Sequence, residues 1–351
     1  MLTQRMALAP ACATAALVLG SILVGGTAHA QALVKVTPLG SHSGELCSAD
    51  RALLFEDPTG VRILYDPGAT TDETDPRLGD VHVILLTHAH ADHIGTTRAN
   101  RGAGTCAAPV PGASNPNSNV VTIAAAKNAA VIVTLELTQF LGSKIQGIRG
   151  VATPACATVG LGNETTVPGS SPCTGVLGVG GSRTIRRGGA SASVQITGAP
   201  ATHGNSIPAV LIDPPGLPPG TVAYGGIAQG YVVRFTNGLT AYLTGDTGML
   251  ADMGQVIAKF YRPNLVVINM GPFGVMSADD AVATIQHLVR PTTVMPSHVF
   301  TEQATSGGVV RSNTWTEFFV RYARAFADVV LPVSDATLAF DGDGRCIGCP
   351  R

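Results

Sequence analysis

The hydrophobic positions of this chain occur in short apolar runs separated by turn-forming residues, which predicts many short strands. The runs 61–65, 81–87 and 265–269 are rich in Val, Ile and Leu, and their length is typical of buried strands. Two further runs flank Asn237-Gly238, a pair that favours tight hairpin turns, so we predict a β-hairpin over 231–244. Other strands are predicted at 32–37, 52–56, 130–134, 194–197 and 292–295.

Segments with helical propensity follow several of these strands. Ser277 is a favourable N-cap for a helix over 278–288, and a helix is also expected from Ile94 onward. Because strands and helices alternate in both halves of the chain, we predict an α+β fold. Its expected architecture is an αββα sandwich of two mixed sheets with outer helices. Other helices are predicted at 122–127, 135–141, 249–260 and 313–327.

The first thirty residues have the pattern of an export signal. Arg5 supplies the positive end, residues 11–26 are apolar, and residues 27–30 end in a small-residue cleavage site. A membrane anchor is the alternative, but the small residues favour cleavage. We therefore predict a signal peptide over residues 1–30, a periplasmic or secreted protein, and no stable membrane span once the signal is removed.

Composition narrows the classes of partner. Only 13% of the residues are charged and the formal net charge is −1, so no basic surface is available for nucleic acid. A hydrophobic content of 45% is sufficient for a buried core, which excludes a disordered chain. We therefore expect a small-molecule substrate, and the sequence makes no prediction of oligomeric state.

Six cysteines remain after the predicted signal, and an even number in an exported protein favours disulfides. A bond between Cys156 and Cys173 would close a loop rich in Gly, Pro and Ser. Cys346 and Cys349 are expected to form a structural disulfide in the tail. The full connectivity stays open. The remaining two cysteines are Cys47 and Cys106.

A cluster of four possible metal ligands follows the apolar run 83–86. Imidazole and carboxylate groups together suit zinc and similar divalent ions. The end of a buried strand also holds such a cluster more rigidly than a free loop would. Clustered His and Asp side chains need partners that offset their desolvation, so a chance grouping is a poor explanation. The four residues are His88, His90, Asp92 and His93.

Three more candidate ligands lie at equivalent places, because His203, Asp246 and His298 each come just after an apolar strand. Seven ligands from four strand ends are about what a two-metal site needs. Two ions roughly 3.5–4 Å apart can be bridged by a carboxylate. The sequence therefore predicts two divalent ions, most simply Zn²⁺, with Mn²⁺ or Fe as alternatives.

These motifs resemble those of the metallo-β-lactamase fold superfamily. The chain is most similar to bacterial metal-dependent hydrolases related to ascorbate-6-phosphate lactonase and, more distantly, to the N-acyl-phosphatidylethanolamine phospholipase D group. Besides the His-x-His-x-Asp-His motif, the similarity rests on the segments 230–240, 245–248 and 296–298. It extends roughly from Val34 to Val299, apart from insertions.

The resemblance implies how the ligands are divided between the two ions. Asp246 would bridge them, and Asp66 is similar to a family carboxylate that orients a ligating histidine. For Asp66, a turn-forming role before Pro67-Gly68 is an equally good explanation. The first ion would be held by His88, His90 and His203, and the second by Asp92, His93 and His298.

The resemblance also implies the domain organisation and the chemistry. A metallo-hydrolase domain would cover 31–345, with insertions near 101–119 and 150–176, followed by a Cys-containing tail over 346–351. The implied activity is that of an exported dinuclear hydrolase. A hydroxide bridging the ions, oriented by Asp92 and Asp246 as the catalytic carboxylates, would attack an ester, lactone or phosphodiester. The alternatives are a β-lactamase-type amide hydrolase and a non-catalytic zinc-binding protein of the same fold.

Overall fold

A computed structural model provides the structure of the chain. The predicted signal peptide over 1–30 lies outside the described residues, and so does much of the predicted insertion near 101–119. No helix among the described residues is long and apolar enough to cross a membrane. The described residues are 32–98, 101–103, 106, 113–212, 218, 221–299 and 304–349.

Side-chain alternation along the central strands determines the layers of the molecule. In the strand Val83–Leu85, Val83 and Leu85 belong to the core between two sheets, whereas Ile84 packs with helices on the opposite face. The strand Leu265–Asn269 is covered on both faces in the same way. Strands buried on both faces read as continuous apolar runs, which explains the sequence pattern. The predicted αββα sandwich is confirmed.

The first sheet has eight strands and is mixed. Its central strands pair in parallel, and the strands nearer the chain termini pair antiparallel. In spatial order its strands are Cys346–Ile347, Leu338–Phe340, Val34–Pro38, Leu53–Glu56, Arg62–Tyr65, Val83–Leu85, Ala130–Val133 and Cys173–Val176.

The second sheet also has eight strands and is mixed. It contains the predicted hairpin around Asn237-Gly238, followed by a run of parallel strands. In spatial order its strands are Asp328–Val329, Thr293–Ser297, Leu265–Asn269, Thr240–Leu243, Gln229–Arg234, Val194–Pro200, Ser182–Arg187 and Glu164–Val167. Three two-residue pairings lie outside the sheets: His42–Ser43 with Gly102–Ala103, Ser206–Ile207 with Ala223–Tyr224, and Thr305–Ser306 with Val309–Val310.

Three of the outer helices begin at side-chain caps that the sequence provides. Ser277 accepts a hydrogen bond from the backbone of Asp280 at 3.1 Å, which confirms it as the predicted N-cap. Thr314 caps the last helix in the same way. The helices are Ala91–Ile94, Asn119–Lys127, Leu135–Arg149, Met253–Tyr261, Ala278–Ala283 continued by Thr284–Val289, and Trp315–Ala323, with 3₁₀ turns at Pro76–Leu78 and Ala209–Leu211.

The prediction of a helix from Ile94 onward is wrong, because a short helix ends at Ile94. Gly95 follows in a left-handed conformation with φ of 77°. A Cβ atom at this position would come within 2.7 Å of the Asn119 side chain and would also collide with the backbone of Gly68, so only glycine fits. The chain therefore turns away directly after the histidine cluster.

Two other segments are more regular than predicted. The helix predicted at 135–141 continues through Gly142 and Gly147 to Arg149, because packing of Ile145 against the first sheet outweighs the low helix propensity of glycine. The segment 150–176, predicted as an insertion that a disulfide would close into a loop, contributes Glu164–Val167 to one sheet and Cys173–Val176 to the other.

Three disulfides link the six cysteines. Cys156 pairs with Cys173 and Cys346 with Cys349, as expected from the sequence. The pairing of Cys47 with Cys106 closes a loop of much greater sequence separation, 59 residues. It attaches the segment before strand Leu53–Glu56 to the region after the histidine cluster.

Tyr231 links the two sheets at the edge where the histidine cluster lies. Its strand belongs to the second sheet, yet its hydroxyl donates to the carbonyl of Leu86 at 2.6 Å and lies 3.2 Å from that of Ile132. Both carbonyls belong to the first sheet's side, because Leu86 directly follows one of its strands and Ile132 lies within another. The Gln229 amide donates to the same hydroxyl. This bond holds the backbone just before Thr87 against the second sheet.

We expect the substitution Tyr231→Phe to lower the free energy of unfolding by about 1–3 kcal/mol, since buried carbonyl groups lose their hydrogen-bond donor. Chemical denaturation of the two proteins measures the difference.

Tyr242→Phe provides a matched control from the same sheet. The hydroxyl of Tyr242 is buried and has no hydrogen-bond partner among the described residues. Its removal should leave the free energy of unfolding unchanged or raise it. Equal losses in both variants would contradict a linking role for Tyr231.

Candidate metal centre

Four strand ends bring the seven predicted ligands into one cluster. The first sheet supplies His88, His90, Asp92 and His93 after Val83–Leu85. The second sheet supplies the other three, which follow Val194–Pro200, Thr240–Leu243 and Thr293–Ser297. Their donor atoms form three overlapping groups, each with all atoms within 4.8 Å of one another. The first group is His88, His90 and His203, and the second is Asp92, His93 and His298. The third, His88, His93 and Asp246, shares residues with both.

The first group consists of three imidazoles. His90 Nδ1 lies 3.0 Å from His88 Nε2 and 3.2 Å from His203 Nε2. Nitrogen ligands at 2.0–2.1 Å around a tetrahedral zinc ion would lie about 3.3–3.4 Å apart, so these separations are close to those of a ligand set. His88 is fully buried, and the side chain of His203 is 14% exposed, so the group opens towards solvent at His203.

The second group combines two imidazoles with a carboxylate. Asp92 Oδ2 lies 3.2 Å from His298 Nε2 and 3.5 Å from His93 Nε2. Both histidines are buried, whereas the Asp92 side chain is 37% exposed. The second group is therefore accessible to solvent at Asp92, as the first group is at His203.

Asp246 lies between the two groups. Its Oδ2 atom is 3.9 Å from His88 Nε2 and 3.7 Å from His203 Nε2 on one side. On the other side it is 3.3 Å from His93 Nε2 and 3.1 Å from His298 Nε2. One carboxylate oxygen thus faces four imidazole nitrogens, two from each group.

The rings are oriented by hydrogen bonds from the nitrogen that faces away from the cluster. His203 Nδ1 donates to the carbonyl of Gly274 at 2.9 Å, and His298 Nδ1 donates to that of Met270 at 3.3 Å. His93 Nδ1 donates to Asp66 Oδ2 at 2.8 Å, and His88 Nδ1 donates to the Thr87 hydroxyl at 3.0 Å. These bonds direct the Nε2 atoms into the cluster.

Asp66 has the position expected of an orienting carboxylate. Besides its bond with His93, it accepts hydrogen bonds from the Thr87 backbone and hydroxyl, each at 2.8 Å. Asp66 also lies at the turn that ends Arg62–Tyr65. It can therefore both orient a ligating histidine and form the turn before Pro67-Gly68.

Sequence reasoning missed two residues that hold the carboxylates. Arg51 donates from Nε and Nη2 to Asp92 Oδ2 at 3.0 and 2.7 Å, and the Asn269 amide donates to Asp246 Oδ1 at 2.9 Å. Arg51 lies 41 positions from its partner, and no local signal marks it. Asn269 ends a buried apolar strand, and a polar residue at that place was a signal that could have been used.

Burial keeps two histidines of the first group neutral. Burial, followed by the neighbouring His93, holds the pKa of His88 well below its usual value. Burial and the adjacent His203 also lower the pKa of His90. Neutral imidazoles are the form that binds a metal ion.

In the second group, the effect of neighbouring carboxylates on the histidine pKa outweighs the effect of burial. Burial alone would lower the pKa of His93, but the carboxylates of Asp246, Asp92 and Asp66 raise it to about 10. Burial opposes ionisation of Asp246, yet His93 and His298 hold the pKa of its carboxyl well below the usual range. Without an ion, a proton on His93 therefore supplies the positive charge that balances the carboxylates.

The donor set fits a metal ion in one further respect. His93 Nε2 is buried, and no hydrogen bond of acceptable geometry satisfies it among the described residues. An unsatisfied buried nitrogen normally costs free energy. A metal ion between His93, Asp92 and His298 would use its lone pair.

Comparisons with known proteins agree with this arrangement. A model of the metallo-beta-lactamase superfamily matches residues 52–106, which include the histidine cluster. A UPF0173 metal-dependent hydrolase from Cupriavidus taiwanensis is 28% identical over 283 residues, 78% of this chain and 79% of the relative. One from Rubrobacter xylanophilus is 29% identical over 245 residues, 69% of this chain and 75% of the relative.

A solved structure shows the same fold. The metallo hydrolase Igni18 from the archaeon Ignicoccus hospitalis superimposes with a TM-score of 0.53 at 20% sequence identity, covering 88% of this chain and 99% of that one. The two-sheet sandwich, the superfamily match and the named relatives agree with one another. Residues 52–106 match the metallo-beta-lactamase superfamily, and the chain as a whole is similar to metal-dependent hydrolases with this fold.

Proposed function

We propose that this protein is a dinuclear hydrolase that cleaves an ester, lactone or phosphodiester of a small molecule. The position of Asp246 carries the proposal, because one carboxylate oxygen faces imidazoles of both ligand groups within 3.9 Å. A single ion would use only one of those groups. In this proposal His88, His90 and His203 hold one ion, Asp92, His93 and His298 hold the other, and Asp246 bridges them.

Divalent ions held there would lower the pKa of a water molecule to near neutrality and polarise the bond to be cleaved. Zinc suits the donor set, and manganese or iron are alternatives. The protein residues keep the geometry. Asn269 holds the outer oxygen of Asp246, and Arg51 holds Asp92, so neither carboxylate is free to rotate.

The cysteines argue against a purely structural zinc site. Such sites are usually closed cages that include thiolates. The six cysteines among the described residues are paired in disulfides, so none of these contributes to the cluster. The cluster is open at His203 and Asp92, where water and substrate have access. The disulfides are also consistent with the proposed export to the periplasm or the medium.

We expect Asp246→Asn to reduce hydrolysis by more than about 100-fold, since even losing the partner of a ligand costs 10–100-fold. Turnover of p-nitrophenyl acetate and bis(p-nitrophenyl) phosphate by the zinc-loaded protein measures activity. Elemental analysis measures metal content, which should fall below the wild-type value. The circular dichroism spectrum should stay unchanged.

Asp343→Asn serves as the control for this variant. The Asp343 side chain is 74% exposed and forms a surface ion pair with Arg345, so activity and metal content should match the wild type. Full activity in Asp246→Asn would contradict the bridging role. Turnover of nitrocefin in preference to both esters would instead favour a β-lactamase.

Metal binding should release at least one proton per chain near pH 7.5, because His93 is protonated in the metal-free protein and must lose its proton to become a ligand. Apparent affinity should therefore rise with pH, by at least about tenfold per unit, until the pH approaches 10. Isothermal titration with Zn²⁺ in two buffers of different ionisation enthalpy gives the number of protons.

Asp66→Asn tests the cause of this effect. The variant removes one of the carboxylates that raise the pKa of His93, so proton release should begin to fall at a lower pH than in the wild type when the titration is repeated up to pH 10. Proton release that is zero in the wild type, or a pH profile identical in the two proteins, would show that His93 is not the group displaced.

A further inference from the structure

A cavity of about 580 Å³ opens directly beside the candidate metal centre. His203 forms one part of its lining, and the segment 222–227 forms the opposite part. This volume lies within the range of small-molecule sites. His203 belongs to the first imidazole group and its side chain is 14% exposed, so a molecule in the cavity would reach the metal centre.

The wall of this cavity is apolar and exposed to solvent. Val222, Tyr224 and Ile227 are 58%, 71% and 59% exposed. Large apolar side chains grouped in this way leave hydrophobic surface in contact with water, which is typical of a binding site. The short pairing of Ser206–Ile207 with Ala223–Tyr224 holds the wall next to the segment that carries His203.

The polar groups of the cavity offer little to an anion. The Asn205 side chain is engaged with the backbone, accepting from Ala89 at 2.8 Å and donating to Gly225 at 2.7 Å. No Lys or Arg is among the described residues that line the cavity. The carboxylate of Glu136 lies against Gly226, which lines the cavity, and would repel a phosphate or carboxylate group.

A second apolar group is connected to the same histidine. Phe273 is 96% exposed and has φ of 55°, a conformation that non-glycine residues rarely adopt. The next residue, Gly274, accepts the hydrogen bond from His203 Nδ1. Strained residues that persist next to a site are often functional. Apolar surface therefore lies both on the segment that lines the cavity with His203 and beside the residue that accepts its hydrogen bond.

We propose that the substrate is a neutral carboxylic ester or lactone with an apolar chain, and that the wall formed by Val222, Tyr224 and Ile227 binds this chain. The inference rests on the proposed hydrolase function and narrows it by excluding anionic phosphodiesters. In the reaction the oxygen of water bonds to the carbonyl carbon and the bond from that carbon to the alcohol oxygen breaks. The alcohol oxygen takes up a proton, so an ester gives a carboxylic acid and an alcohol, and a lactone gives a single hydroxy acid.

Hydrolysis of p-nitrophenyl esters of increasing acyl length tests this inference on the mature, zinc-loaded protein. From acetate to octanoate, kcat/KM should rise by about two- to fourfold per methylene group until the cavity is filled. Bis(p-nitrophenyl) phosphate should be the poorest substrate. In Tyr224→Ser and Ile227→Ser, the ratio of kcat/KM for octanoate to that for acetate should fall by roughly tenfold.

Phe260→Ser is the matched control. Phe260 is 73% exposed in the last turn of Met253–Tyr261, near the start of Leu265–Asn269 and therefore at the sheet edge opposite Asp246. The octanoate-to-acetate ratio should equal that of the wild type. A ratio that does not depend on chain length, or a loss equal to that of Tyr224→Ser in this control, would overturn the inference.

Binding of p-nitrophenyl octyl ether, which this reaction does not cleave, separates the inference from the proposed function. If no ester is hydrolysed but the ether binds to the wild type and at least about tenfold more weakly to Tyr224→Ser, the cavity is supported and the hydrolase proposal fails. If esters are hydrolysed but the ether binds equally to both proteins, the cavity assignment fails and the hydrolase proposal stands.

Discussion

The carboxylate of Asp66 supports the whole candidate centre. It accepts hydrogen bonds from the Thr87 backbone, the Thr87 hydroxyl and His93, and so joins the end of strand Arg62–Tyr65 to the histidine cluster. Asp66 adopts a positive φ of 38° at this point. Such backbone strain is retained when the surroundings compensate for it, and three hydrogen bonds to a buried carboxylate do so.

The two sheets contribute ligands to the centre in different ways. The first sheet supplies a compact cluster of four ligands on one short segment. Asp66 holds His93 of this segment, and Arg51 holds Asp92. The second sheet delivers single ligands from three separate strand ends. Tyr231 connects the sheets near this edge, so the Asp246 strand and the cluster are kept in register by a buried hydrogen bond as well as by apolar packing.

Much of the fold was predictable because its signals are local. Short apolar runs, a hairpin at Asn237-Gly238 and an N-cap at Ser277 each depend on neighbouring residues only. The errors occurred where distant contacts decide. Gly95 ends a helix because its surroundings exclude a side chain, and the segment 150–176 forms edge strands because partners in both sheets are available. Propensity alone contains neither fact.

The sequence by itself determined the chemical character of the centre, since residue type and position after a strand are sufficient to identify seven imidazole and carboxylate side chains. The tertiary structure alone decided how they are supported and what lies beside them. Arg51 reaches Asp92 across 41 residues, Asn269 reaches Asp246 across 23, and the wall around Tyr224 faces the His203 cavity. The physical reason is the sequence distance over which each property is determined. The chemistry of a ligand belongs to a single side chain, whereas hydrogen-bond partners and cavity walls arise only when distant segments pack together.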